Sequence, residues 1–501
     1  MANYKDYNYD QTMMVPVTLT DQLIPGTLEY AIHHLVENCI DMSIFDSKYK
    51  NDSTGAPAYD PKILLKVVLV GYSRGLIHSR KIEKACRENI IFMALCCGKV
   101  PDYSTICNFV KSMETELTEV FRNILLVCDK EGLLGGTRFA LDGCKLPSNA
   151  SSAWSGTHAQ LHKKMKRMEN KVKKIVKKHI SQDTRDSENL PESAHKQIRK
   201  LEKNIQKIQA FLDSNEPKTG SKKAEVKSNI TDNDSGQMKT SHGMIQGYNA
   251  QALVDSKNQI IVSCKASGEG LDHDQVTPLV DQAKDNLQSI GKDETYFQGK
   301  QLLCDASYHS QENIGKALEE KMDAYIPDNN YRKRDPRINE SKELPFSPAD
   351  FIYDENNEQY ICPAGSVLKR IGKNHRKGKK LYRKYVSNTA DCSGCLFRHR
   401  CLSNENTKSR YLYVYKDKKL AKAAKQLYDK LAAKQGMLIY DQRAGIVEPV
   451  FGNIRSQKRL DQFTLRGKTK VNIQWQLYAI IHNIEKIVNY GSANAFNPVF
   501  T

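Results

Sequence analysis

Two groups of residues in this 501-residue chain have the types and spacing that do chemistry. The first is a set of three carboxylates. Asp142 closes the run Arg138-Phe139-Ala140-Leu141 and precedes Gly143; Asp305 closes Gln301-Leu302-Leu303-Cys304; Glu448 stands in Ile446-Val447-Glu448-Pro449-Val450-Phe451-Gly452. Two aspartates at strand exits and a glutamate from a facing helix make an all-oxygen pocket, the donor set of Mg²⁺ or Mn²⁺. Two such ions about 4 Å apart activate a water or a 3′-hydroxyl and stabilise the leaving oxygen of a phosphodiester. Three packed acids otherwise repel, so a metal gives them a physical reason. An Asp at a strand end is equally an ordinary turn or N-cap residue, and on spacing alone both readings stand. The second group is Cys362, Cys392, Cys395 and Cys401, a CxxC with two further cysteines, which offers the soft donors of a tetrahedral structural zinc. His399 is an alternative fourth ligand to Cys401; free thiols and a redox CxxC are the competing readings. Residues 366–386 between these cysteines carry nine Lys/Arg and no acid. With so little apolar content there, a metal would supply a missing core.

Periodicity and caps indicate the elements that must position these groups. Residues 1–56 mix polar loop with one short amphipathic helix from Leu28 to Cys39. Asp60-Pro61 predicts a helix start, with Asp as N-cap and Pro at the first helical position. A second helix is expected after Ser79. A third is expected from Ser104, where Ile106, Phe109, Val110, Met113, Leu117, Val120, Phe121 and Ile124 form one stripe. Residues 57–132 thus predict a helical domain, either a plain bundle or one containing a helix-turn-helix. From 137 the expected order is three strands (137–143, 244–254, 259–266), a helix (274–289), a strand (301–306), a helix (311–321), a strand (324–327) and two helices (421–455, broken near Gly436, and 471–490). A hairpin followed by crossovers implies a mixed sheet with helices on its faces, an α+β to α/β architecture. Its first and fourth strands can be neighbours with both exits at one edge. Two insertions interrupt it: 150–240, with a basic helical hairpin over 158–212 and a loop over 213–240, and 330–415, polar, basic and cysteine-bearing. His273 reads as a site residue or, with Asp272 and Asp274, as part of a helix cap. Trp475, His482 and Asn483 read as packing and capping.

The net charge of +18 points to a polyanion, most commonly nucleic acid. Positions 161–180 hold nine Lys/Arg and a single Glu, either a solvated arm or a DNA contact. The run Ile63 to Val70 is broken by Lys66 and too short to span a bilayer. Met1-Ala2-Asn3-Tyr4-Lys5-Asp6 has neither the basic start nor the apolar stretch of a secretory signal. The expectation is a cytoplasmic chain with no membrane partner. Most of the thirteen cysteines lie singly in apolar segments and read as reduced core residues.

Leu141-Asp142-Gly143, Cys304-Asp305-Ala306-Ser307-Tyr308 and Val447-Glu448-Pro449-Val450-Phe451-Gly452-Asn453-Ile454-Arg455 resemble the three acidic blocks of bacterial insertion-sequence transposases of the DDE type. Pro57 to Lys111, with Pro101-Asp102-Tyr103-Ser104-Thr105-Ile106-Cys107-Asn108-Phe109, resembles their InsH-type N-terminal domain. Gly247 to Asp255 resembles their second-strand block. The likeness implies a ribonuclease-H-like fold, with Asp142, Asp305 and Glu448 as ligands of two Mg²⁺ or Mn²⁺ ions. It implies cleavage at terminal inverted repeats, strand transfer into target DNA, and a homodimer in the DNA complex, in a nucleoid-associated protein. The family's Tyr-x2-Arg-x3-Glu-x6-Lys signature maps onto Tyr440, Arg443, Glu448 and Arg455, but four residues separate Arg443 from Glu448 and arginine replaces lysine. Arg455 remains suited to hold a phosphate bidentately. The implied plan is an extension (1–56), a helical DNA-binding domain (57–132), a catalytic domain (133–490) carrying the two insertions, and a tail (491–501). Two other functions are compatible: a non-catalytic DNA-binding remnant, and a stand-alone metal-dependent nuclease.

Overall fold

The helices of the N-terminal third begin where the sequence supplies caps. In the computed structural model, which describes residues 17–49, 57–182, 191–220, 224–338, 343–377, 380–402, 404 and 406–492, the first long helices are α1 (Leu28–Asn38), α2 (Pro61–Ser73), α3 (Ser79–Glu88), α4 (Ile90–Leu95), α5 (Tyr103–Ser112) and α6 (Glu114–Lys130). The start of the expected extension and nearly all of the expected tail lie outside the described residues. Asp60 accepts from Lys62 N–H at 2.8 Å with Pro61 at the first helical position, and Asp102 accepts from the N–H groups of Ser104 and Thr105. The lysine that interrupts the apolar run of α2, Lys66, is buried and paired with Glu37 of α1 at 2.7 Å. The apolar stripe expected to form one helix from Ser104 is divided at Met113, where α5 ends and α6 begins. Met113 is itself fully buried, so both helices feed one core and the periodicity runs through the break unchanged.

β1 (Arg138–Pro147) follows, and then the two helices of the basic arm, α7 (His158–Gln182) and α8 (Glu192–Ser214). The arm has a small core of its own, Leu161, Ile208 and Phe211. Lys164 and Lys207 lie 4.3 and 5.2 Å from the ring centre of Trp154 at its root. The segment expected to be loop contains β2 (Gly236–Thr240), paired antiparallel with the start of β3 (Gly243–Asp255). Its alternation is too short and polar to register as a strand; pairing with a long neighbour stabilises it. β4 (Ile261–Ser267), α9 (Val276–Ser289), β5 (Gln301–Cys304), α10 (Gln311–Glu319) and β6 (Asp323–Tyr325) complete the expected series. β3 pairs β1 antiparallel on one side and β2 and β4 on the other; β1 pairs β5 and β5 pairs β6, both parallel. This is the mixed sheet expected, with the first and fourth strands of the predicted series adjacent, consistent with a ribonuclease-H-like fold.

Residues 352–415 form a second, antiparallel sheet of β7 (Ile352–Asp354), β8 (Gln359–Ile361), β9 (Val367–Lys377), β10 (Lys380–Ser387) and β11 (Tyr411–Tyr415), in that order. One face packs Phe351, Leu368, Tyr385 and Leu412 together. The expectation that this insertion lacks a core without metal is therefore corrected: four well-spaced apolar residues suffice for one face of a small sheet. Three helices end the chain: α11 (Lys418–Ala432), α12 (Lys434–Gly452) and α13 (Lys468–Tyr490). The break expected near Gly436 falls at Ala433.

α13 ties the two halves together. Its buried Leu477, Tyr478, Ile480 and Ile481 belong to one apolar core shared by the N-terminal helices and the first sheet. It also seals an open sheet edge. Asn472 and Asn483 each use their amide to accept from and donate to one residue of β4, Ala266 and Ile261 respectively, at 2.8–2.9 Å. Eleven helical residues and five strand residues both span about 16.5 Å, so the two asparagines match the strand spacing. An edge strand is thereby capped by side chains in place of another strand. Trp475 and Asn483 act in packing, as expected: the indole N–H donates to the Gln251 carbonyl at 2.9 Å. Replacing the fully buried Asn483 with alanine strands one donor and one acceptor of Ile261 and is expected to cost about 2–4 kcal/mol. Asn472→Ala, at a half-buried position, should cost less. Urea denaturation of both variants checks the order.

Candidate active site

The backbone register brings the two aspartates together. Leu141 of β1 is paired with Cys304 of β5 in a parallel ladder, so Asp142 and Asp305 sit side by side. The expectation that both aspartates stand at strand exits holds for Asp305 and is corrected for Asp142: β1 runs on to Pro147 because its second half stays paired with β3. Gly143 follows Asp142 for a steric reason: a Cβ there would lie 2.2 Å from Gln251 Nε2. The missing side chain lets Gln251 of β3 reach across the strand. Asp142 accepts from its neighbour's backbone, Gly143 N–H, at 2.8 Å and from Arg443 Nη1 at 2.6 Å. Asp305 caps a short turn, accepting from the N–H of Ser307 at 2.6 Å and from the Ser307 hydroxyl.

A third aspartate enters from a place the sequence reading gave to a helix cap. Asp272 does not cap α9. Its Oδ1 accepts from Asn249 Nδ2 and Gln251 Nε2, both at 2.7 Å, and its Oδ2 lies 2.9 Å from Ser307 Oγ. Ser307 Oγ thus stands within hydrogen-bond distance of both Asp305 and Asp272. The buried Tyr308 hydroxyl donates to Gln251 Oε1. His273 offers only its carbonyl, which accepts from Ser310 Oγ at 2.7 Å. The sequence signal for this network was Asn249 and Gln251, two polar residues at alternate positions of an otherwise apolar strand.

α12 supplies the basic and aromatic groups. Tyr440 and Arg443 share the helix face turned to the aspartates, and the Tyr440 ring packs edge-on against Tyr331 at 5.3 Å. At 100° per residue, position 447 lies about 40° from Arg443 around the helix and position 448 about 140°. The residue facing the aspartates is therefore Val447, fully buried, while the Glu448 side chain is 65% exposed. Arg443 Nη2 is 3.9 Å from Glu448, so one guanidinium links Asp142 to Glu448. Pro449 lies inside the helix and donates no hydrogen bond to the Gly445 carbonyl, which accepts from Gln259 Nε2 at 2.9 Å instead. A π-helical turn, Asn453–Gln457, follows. Glu448 and Arg455 line an open groove of about 560 Å³ with Gly143, Phe451 and Arg459.

Burial pushes the Asp142 carboxyl up, Arg443 opposes the shift, and Asp305 adds to it. Burial also raises Tyr440, against the pull of Arg443. The donor chemistry fits a hard cation: two adjacent carboxylates, with an arginine as the cation between them and the glutamate. Among the described residues, no group of three or more His, Cys, Asp or Glu is gathered closely enough to hold a metal ion.

The four cysteines of the second group line one cavity, shared with Pro363, Leu368 and Arg410. All four are free thiols, and Cys392 Sγ lies 3.0 Å from Ser387 Oγ. Burial raises Cys401, Arg410 opposes this, and the other three cysteines add to it. Soft donors thus converge, without having closed to ligand distance. His399 is exposed and pairs with Glu343, away from the role of alternative ligand.

Two family models match the chain. One, described as a transposase domain (DUF772), covers residues 18–112; the other, a transposase DDE domain, covers 361–488. The first reaches back through α1. The second contains Tyr440, Arg443, Glu448, Arg455 and the four cysteines, whereas Asp142 and Asp305 lie between the two matched stretches. No curated protein and no solved structure matches. No helix among the described residues is long and apolar enough to cross a membrane.

A carboxyl whose folded value is raised holds its proton more tightly than the unfolded chain does. Its contribution to stability is then lost as pH climbs from the ordinary carboxylate value through the raised one. Asp142→Asn removes that loss, and Arg443 keeps Asp305 and Glu448 as counter-charges. In chelator at about pH 7 the variant should melt no lower than the parent, with any advantage fading toward about pH 3. A lower melting point for the variant at neutral pH contradicts this reading.

Proposed function

We propose that this chain, whose two matched domains in order are those of an insertion-sequence DDE transposase, binds terminal inverted repeats, cuts at them and joins the freed 3′-hydroxyl to target DNA. The observation that carries the reading is the parallel register of β1 and β5, which sets Asp142 beside Asp305 with Arg443 against them. Mg²⁺ or Mn²⁺, two ions held by Asp142, Asp305 and Glu448, would supply Lewis-acid activation of the attacking oxygen and stabilisation of the leaving one.

The chain's own residues do the rest. Ser307, oriented by Asp272, fixes the rotamer of Asp305. Arg443, beside Tyr440, neutralises Asp142 in the metal-free chain, and its fork would suit a phosphate oxygen where Asp142 is engaged with a cation. Arg455 and Arg459 border the groove beside Glu448 and suit the flanking phosphates. The basic arm and N-terminal helices add phosphate contacts that set register along the duplex. Handling two ends at once calls for a dimer in the DNA complex. Cys362, Cys392, Cys395 and Cys401 would hold a structural zinc that tethers the turns after β8 and β10.

Alanine at Asp142, Asp305 or Glu448 is expected to lower Mg²⁺-dependent strand transfer of a pre-cut end by roughly 10²–10³-fold or more while leaving DNA retention intact. Hydrolysis without joining would make the protein a nuclease, and neither product a DNA-binding remnant. Full activity in any one variant removes that acid from the site. For the cysteines, metal analysis of the purified chain should give about one zinc per molecule, absent after Cys392→Ser with Cys395→Ser. Unchanged metal content in that variant excludes the cluster.

A further inference from the structure

The outer face of the second sheet has no role in the reading above. Strand alternation divides this sheet cleanly. Leu368, Tyr385 and Leu412 point inward to its core. On the opposite face the register sets Tyr382 against Tyr415, Lys384 against Tyr413 and Ile371 against Lys384. Tyr411 and Tyr413 are 43% and 46% exposed and Ile371 is 54% exposed, on the surface of a folded sheet. The rings cluster at inclined angles: His375 to Tyr413 is 5.5 Å between centres with planes 43° apart, and Tyr382 to Tyr413 is 6.2 Å with planes 82° apart. Lys384 Nζ sits 4.4 Å from the ring centre of Tyr411 and 5.8 Å from that of Tyr413. The surrounding stretch, residues 366–386, has nine Lys/Arg and no acid.

We infer that this face binds unpaired DNA, with bases stacking on Tyr411, Tyr413 and Tyr382 while Lys369 and Lys384 on the same face hold the backbone. The choice of a single strand over a duplex follows from the shape. Exposed rings standing on an open sheet face, inclined to one another, offer π-faces and edges between which unpaired bases can insert, whereas paired bases in a helix keep their π-faces to themselves. The choice of a polyanion over an apolar protein partner follows from the charge: Lys369 and Lys384 stand on this face among the tyrosines, and the segment 366–386 adds seven further Lys/Arg and no acid, although Arg370 is paired with Glu358. The position suits the reading of the active site, on which this inference rests for its biological sense. β11 passes after two residues into α11, which leads to the helix bearing Arg443 and Glu448. A strand freed near the cut would have a resting place on the same polypeptide segment.

The test uses the full chain in chelator with a labelled oligo-dT of about 12 nucleotides, read by anisotropy. Tyr411→Ala with Tyr413→Ala should weaken binding on the order of 10-fold or more, while Tyr411→Phe with Tyr413→Phe restores it, since stacking needs the ring and not the hydroxyl. Duplex binding should change little in either variant. Unchanged oligo-dT affinity in the alanine variant overturns the inference, as does equal weakening for duplex. So does displacement of oligo-dT by polyglutamate as readily as by unlabelled oligo-dT. Both positions are exposed and outside the apolar cluster, so the variants should fold; an unaltered melting curve confirms it. Metal-dependent cleavage by the parent is measured alongside. Its failure with oligo-dT binding intact sinks the catalytic reading alone, and the reverse outcome sinks only this one.

Discussion

Backbone hydrogen bonding brings two carboxylates together, and the groups around them answer that constraint. Adjacent strands lie about 4.8 Å apart, so two carboxylates carried by them repel, and burial adds to the cost of ionising Asp142. The ladder between β1 and β5 cannot relax the separation without giving up its pairing. Each neighbouring feature lowers that cost. Arg443 brings a positive charge to Asp142, Gly143 and Ser307 turn N–H groups toward the acids, and Gly143 leaves room for Gln251 to hold Asp272 beyond them. A divalent cation held by the same acids would relieve that repulsion more fully than one guanidinium does.

The frame that holds this arrangement is built from the far end of the chain. α13 seals the exposed edge of β4 with Asn472 and Asn483, and its Trp475 bonds to the backbone of β3 at Gln251, the residue that also bonds Asp272 and Tyr308. The other face of the Trp475 region meets Phe451 of α12, with ring planes nearly parallel at 6.1 Å. One indole therefore links the helix of Arg443 and Glu448 to the strand behind the aspartates. Burial alone does not account for this choice of residue, because phenylalanine would pack in the same place without the N–H.

Most of the scaffold was legible because it is local. The N-cap at Asp60, the strand end at Asp305 and the helix patterns before and after β5 are signals within a few residues, and the mixed character of the sheet followed from a hairpin and crossovers; that β1 continues past Asp142 to Pro147 did not show, because it depends on pairing with β3. Three features escaped for a common reason, that their signals are not local. Met113 looks helical because the core it enters is shared by the helices on both sides. β2 is too polar to announce itself and exists through its pairing with β3. Asp272 resembles a cap in sequence and becomes part of the site only through Asn249, Gln251 and Ser307, which lie on other elements. The second sheet was hidden in composition: its basic residues dominate the average, while the four residues that form its core are few and evenly spaced.

The extra residue between Arg443 and Glu448 has a structural counterpart further along the same helix. An uninterrupted helix would hold Glu448 about 140° from Arg443 and make any turn toward the aspartates costly. This helix is interrupted on both sides of the glutamate. Pro449 opens the ladder at Gly445, whose carbonyl is satisfied from outside by Gln259, and the π-helical turn from Asn453 changes the winding again. A segment whose hydrogen bonds are already replaced by outside partners adjusts its winding at lower cost than a regular one. The side chain is also solvated, so it leaves no packing behind when it moves. The aspartates are thus fixed by a regular strand ladder, while the glutamate stands on an interrupted helix with a solvated side chain.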